Sequence, residues 1–171
     1  VLENLPYVSY IIVGSKDRLS KIKSYQIEEG VECILCPFSE FKELPSLLDS
    51  TIAALDSKVV ALIPAGAFPK KDARAQLLNF ARSNYQFWGW YNFGNKYKGS
   101  IQGIGKINNF LNKTPQIEQG IFFSKSLYFS VGGMGKININ PFSELAKRFY
   151  LRLDPQNPLS SLTIRAKSLL N

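Results

Sequence analysis

Gln116-Ile117-Glu118-Gln119-Gly120-Ile121-Phe122-Phe123-Ser124-Lys125-Ser126-Leu127-Tyr128-Phe129-Ser130-Val131-Gly132-Gly133 encodes a strand, a helix and a stop. Ile121, Phe122 and Phe123 are a short apolar run suited to a strand buried on both faces. Gly120, just before them, removes the side chain where something must approach the backbone. Ser124 reads as the N-cap of a helix over 125–131, because a hydroxyl there can accept from one of the unpaired N–H groups of the first turn. Leu127, Tyr128 and Val131 share one helical face. Gly132-Gly133 then ends the helix, since a left-handed residue costs glycine almost nothing.

Outward from this stretch, strand and helix alternate. Residues 7–14 are β-rich and end in Gly14-Ser15, after which Leu19, Ile22 and Tyr25 recur at helical spacing. A second strand covers 31–36 and closes in Pro37-Phe38. Ser39 is then the expected cap of a helix with an apolar stripe of Phe41, Leu44, Leu47, Leu48, Ile52 and Leu55, in which Pro45 marks a break or a fresh first turn. The third strand, 58–64, runs into Ala65-Gly66-Ala67 and a helix over about 70–84 with Ala73, Leu77 and Ala81 inward. Residues 86–93 alternate as a strand with Trp88 and Trp90 on one side, either a stacking platform or core filling. Ile101, Ile104, Ile107 and Leu111 outline another amphipathic helix, stopped by Pro115, and Pro141 is placed to open a helix over 141–149. The pattern predicts an α/β fold, mainly parallel, with residues 1–171 forming one domain.

Charge is unevenly distributed. Residues 1–85 carry 10 Lys/Arg against 10 Asp/Glu and residues 86–171 carry 11 against 3, so the net charge of +8 resides in the second half. Such a half suits an anionic partner, whether a phosphorylated ligand or a phospholipid surface, or it is simply a solvated surface. A nucleic-acid partner is not expected, because no recognised module is present and the charges are dispersed. The chain has no histidine, which excludes a Ser-His-Asp triad and every His-based metal site. Cys33-x-x-Cys36 falls within a strand, where residues three apart point to opposite faces, so two buried structural thiols are expected rather than a disulfide or a zinc site. No apolar run approaches the ~20 residues of a membrane span. The first dozen residues lack a basic flank and a small-residue cleavage site. A soluble, cytoplasmic protein is expected, and the missing initiator Met is consistent with a trimmed start.

Glu118-Gln119-Gly120-Ile121-Phe122 followed by Val131-Gly132-Gly133 resembles a segment of family-2 glycosyltransferases of the GT-A fold, in the branch of small bacterial nucleotide-sugar transferases. The resemblance extends over residues 58–171 and is weak over 7–57. It implies a three-layer, Rossmann-like nucleotide-diphospho-sugar transferase domain that moves a sugar from a nucleotide donor to a small or lipid acceptor. Carried over residue by residue, it makes Glu118 the carboxylate for deprotonating the acceptor, with Gln119 and Gly120 beside it. Gly14 and Ser15 stand at the nucleotide loop, and Ala65, Gly66, Ala67 and Lys70 stand at the diphosphate, with Trp88 and Trp90 as ring contacts.

The chain departs from the family at three places. Cys36 stands where the family has a base-binding Asp, Pro64-Ala65-Gly66-Ala67 stands at the metal-binding acid, and Pro141-Phe142 replaces the catalytic Glu-Asp. A hard divalent ion relies on carboxylates, so no metal cofactor is expected, and Lys70 and Lys71 either neutralise a diphosphate or form a solvated first turn. Glu118 is either the general base or a strand-entrance cap. The alternative function is a degenerate family member that binds a ligand or partner without turnover.

Overall fold

The computed structural model describes residues 7–23, 25, 27–83, 85–94, 114–136 and 140–164. The helix expected over 101–111 and the tail beyond Ile164 lie outside the described residues. The sheet is built from β1 (Val8–Ser15), β2 (Val31–Phe38), β3 (Val59–Pro64), β5 (Trp88–Gly89) and β6 (Ile121–Ser124), in the order β2-β1-β3-β6-β5. β1 pairs parallel with both β2 and β3, whereas β6 is antiparallel to β3 and to β5. The sheet is therefore mixed, with β6 running against the other four strands. A second, two-stranded ribbon joins β4 (Ala67–Phe68) to β7 (Thr163–Ile164).

Helices cover both faces. On one face α2 (Leu44–Ala54), α4 (Lys125–Ser130) and α5 (Pro141–Phe149) pack Leu44, Leu48, Ile52, Leu127, Leu145 and Phe149 against Ile11, Val60, Trp88 and Phe123. On the other, α1 (Lys16–Leu19) and α3 (Lys71–Ala81) pack Leu19, Ala73, Leu77 and Ala81 against Tyr10, Ala61, Tyr91 and Phe122. The stripe expected for α3 is the buried one, and of that expected for α2 Leu44, Leu48, Ile52 and Leu55 are buried while Phe41, in the preceding 3-10 turn, and Leu47 are half-buried. Pro45 sits in the first turn of α2, where a missing N–H costs nothing. No helix among the described residues is long and apolar enough to cross a membrane.

All four residues of β6 are buried, as the apolar run implied. Gly120 enters the strand at φ +57°, and a Cβ there would meet the Leu62 carbonyl oxygen at 2.8 Å. Gly120→Ala therefore combines a strained backbone with a clash against main chain. A loss of about 1–3 kcal/mol is expected. At about 2–4 °C per kcal/mol for a domain of this size, the melting midpoint should fall measurably, while Gly94→Ala, whose Cβ meets nothing closer than 3.7 Å, should not move it. Equal midpoints for both variants would remove Gly120 from the fold's requirements.

The end of α4 follows the sequence reading. Gly132 and Gly133 are left-handed, and their N–H groups bond back to the Phe129 and Tyr128 carbonyls at 3.0 Å each, a Schellman closure. Arg148 adds its guanidinium to the Gly133 and Val131 carbonyls, which suits the negative end of a helix.

Five local expectations are corrected. Ser124 stands at the N-cap of α4 but makes no cap bond, because its buried hydroxyl accepts from the Phe87 N–H and lies against the Phe87 carbonyl. Ser39 does not cap the following helical region; Glu40 and Glu43 form a capping box around the short 3-10 turn Phe41–Glu43. The helix after β1 stops at Leu19, where the Ser20 hydroxyl donates to the Asp17 carbonyl and offers the backbone a turn instead. Tyr25, expected on that helix, stacks on Phe68 at 4.3 Å. The strand expected over 86–93 is a ladder only at Trp88–Gly89, after which Tyr91 bridges to Leu159.

The thiols behave as the alternation implied. Cys33 and Cys36 are free and pack on opposite faces of β2, Cys36 buried and Cys33 half-buried. Burial pushes each thiol up to about 11.

Candidate functional site

In open α/β sheets ligands gather at the carboxyl ends of the parallel strands. Here β1 ends in Gly14-Ser15 and β3 ends in Pro64, while β6, running the other way, begins at the same edge because Ile121 pairs with Leu62. The turn Ile117–Gln119 that carries Glu118 therefore stands at the carboxyl edge, and the chain leaving β5 reaches it as well, with the Tyr91 N–H donating to the Gln119 carbonyl at 3.1 Å. α5 packs on the same turn. Its N-cap is Asn140, whose side chain accepts from the Phe142 and Ser143 N–H groups and donates to the Pro115 carbonyl at 3.0 Å. The Ser143 hydroxyl donates to Thr114 at 2.9 Å.

Eleven residues are candidates from sequence, and burial divides them. Ser15, Gly66, Trp90 and Glu118 are half-exposed and Lys70 is exposed. Gly14, Ala65, Ala67, Trp88, Gln119 and Gly120 are buried.

The buried six are held by packing or by bonds. A Cβ on Gly14 would lie 2.6 Å from the Ala65 side chain, so this glycine lets the turn after β3 close on β1. Ala67 is paired with Ile164 in the small ribbon, which closes the backbone that small side chains were expected to leave open. Trp88 is fully buried, with Trp90, Phe149 and Tyr150 around its ring and its Nε1 donating to the Leu153 carbonyl at 2.8 Å. No face of it is open to a sugar, because the core of the α5 layer is built around it. Gln119 closes a capping box, its Oε1 accepting from the Gln116 N–H at 2.9 Å.

Among the exposed candidates, Lys70 is the N-cap residue of α3, and Asp72 is the acid in the first turn of that helix. Glu118 makes no hydrogen bond or ion pair among the described residues. Lys125, close to Glu118 in sequence, is at the other end of β6 and donates to the Ala53 and Leu55 carbonyls at the end of α2. Lys113, the other lysine expected near Glu118, lies outside the described residues.

Sequence reasoning missed two polar anchors. Asn140 could have been found, because Asn followed by Pro is a helix-start signature. Asp49 had no signal, being an ordinary exposed-looking acid within α2, yet its carboxylate accepts from the Tyr128 hydroxyl and, at 2.9 Å, from the Met134 N–H. It thereby holds the glycine loop after α4 against α2. Among the described residues no group of three His, Cys, Asp or Glu side chains is placed to hold a metal. A cavity of about 410 Å³ lies at the opposite, amino edge of the sheet and includes none of the eleven candidates. No protein-family model matches this chain, and no curated protein sequence matches it.

Proposed function

We propose that the chain is a GT-A-like domain, three-layered and Rossmann-like, that transfers a sugar from a nucleotide donor to a small or lipid acceptor at the carboxyl edge of the sheet. One observation carries this reading: four segments distant in sequence, at Ser15, Gly66, Glu118 and the first turn of α5, are arranged along that edge. Glu118 is the carboxylate assigned to deprotonate the acceptor hydroxyl, because it is half-exposed and unpaired among the described residues there. Ser15, Gly66 and Lys70 remain accessible to a phosphorylated donor.

A second reading, binding without turnover, is favoured by Phe142, which with Pro141 stands where the family has the Glu-Asp that supplies its catalytic base and is fully buried in the core. Mass spectrometry of the protein incubated with a panel of nucleotide sugars and acceptors separates the two. Transfer or donor hydrolysis with any donor is the expected result, and neither with every donor would favour the second reading.

Metal independence is part of the proposal, since Pro64, Ala65, Gly66 and Ala67 offer no side-chain oxygen to a hard cation. Calorimetric titration with Mn²⁺, alone and with UDP or GDP, should give no site-specific heat. Micromolar metal binding would overturn this part.

A further inference from the structure

The amino edge of the sheet, where β3 and β5 begin and β6 ends, holds the cavity of about 410 Å³, within the roughly 300–1,000 Å³ typical of small-ligand sites. Its floor is apolar, formed by the buried Val59, Ala81 and Phe87. Two aromatic side chains line it and are unusually open to solvent, Tyr85 at 62% and Phe129 at 47% exposure. Its charges are two ammonium groups, Lys58 and Lys125, against one carboxylate, Asp56. Lys125 is fixed in place by the carbonyls that end α2. Lys58 is anchored through its own carbonyl, which accepts from the Lys125 N–H at 2.8 Å, while its ammonium makes no ion pair or hydrogen bond among the described residues. Ser126, on the same wall, accepts from the Gln86 amide at 3.3 Å.

We propose that this cavity binds a small aromatic anion, its ring lying against Tyr85 and Phe129 and its charge directed to Lys58 and Lys125. An apolar floor with exposed rings favours a flat, apolar body, and the excess of ammonium over carboxylate favours a negative group on it. The site is separate from the carboxyl edge, so a ligand here leaves that edge open.

The test uses two dyes on the full chain: 1-anilinonaphthalene-8-sulfonate, and N-phenyl-1-naphthylamine, which keeps the rings and lacks the sulfonate. The sulfonate dye should fill one saturable site. Phe129→Ser should weaken it about tenfold, the worth of one good ring contact. Lys58→Gln should weaken it roughly three- to fivefold, as a solvent-screened ion pair does, and should leave the neutral dye unchanged. Lys70→Gln, at the opposite edge, should change neither. Both cavity positions are exposed, so melting curves of the variants should match the parent. Absence of a saturable site, or binding indifferent to Phe129→Ser, overturns the cavity as the site. Equal affinity for the two dyes with no effect of Lys58→Gln overturns the anion.

Discussion

Phe122→Ala and Phe123→Ala should each destabilise the protein by about 3–5 kcal/mol, the usual cost of emptying a buried phenylalanine site. The two rings sit on opposite faces of β6 and serve different cores. Phe123 stacks on Tyr128 at 5.3 Å and tilts on Phe149 at 5.2 Å, joining the sheet to α4 and α5. Phe122 is flanked in register by Ala61 and Gly89, and its ring fills the space over that glycine, where a Cβ would come within 2.6 Å of the ring. Tyr91 and Phe87 flank the Phe122 ring at 5.5 and 6.4 Å, so its removal also strips ring contacts from both. At about 2–4 °C per kcal/mol, thermal midpoints should drop by roughly 6–20 °C, whereas Leu151→Ala, at a residue 83% exposed, should be nearly silent. Shifts within about 1 °C for both phenylalanine variants would show that β6 is not the structural centre.

If the proposed sugar transfer is the chain's activity, Glu118→Gln should lower it by roughly 10²–10⁴-fold, the usual worth of a positioned base, while leaving the fold intact. The fold should survive because the turn Ile117–Gln119 is closed by Gln116 and Gln119, and the Glu118 side chain contributes no bond to it. A base needs access to the acceptor and a charged form to receive the proton, and the amide offers the same shape with a carbonyl oxygen too weakly basic to take that proton and an NH2 that donates where the carboxylate would accept. The informative comparison is turnover of wild type and variant at matched thermal stability. Undiminished transfer by the variant would take Glu118 out of the chemistry. A parallel loss of turnover and stability would make it a strand-entrance residue instead.

Much of the fold is local and so was legible in the chain. The apolar run Ile121-Phe122-Phe123 suited a buried strand, Pro45 marked a break or a first turn and Pro141 a helix start, and Gly132-Gly133 could take the left-handed conformation that stops α4. The spacing of Ala73, Leu77 and Ala81 fixed the inward face of α3 whatever it packed on. Period-two alternation likewise put Cys33 and Cys36 on opposite faces of β2. Each of these depends on a residue's own backbone limits or on a helical or strand repeat.

The remainder depended on partners distant in sequence. The direction of β6 is set by its antiparallel pairing with β3, and that pairing alone sends Glu118 to the carboxyl edge and Lys125 to the other. Hydroxyls and carboxylates take the nearest unpaired backbone group, which is why Ser124 turned to Phe87 and Asp49 to Met134, neither a sequence neighbour. Trp88 became core because α5 folds over it, and Ala67 became closed because β7 returns to pair with it. Sequence determined which residues could be strand, helix and stop; tertiary structure decided which of the candidate residues still face solvent, because burial belongs to the pairing of distant segments and not to any one of them.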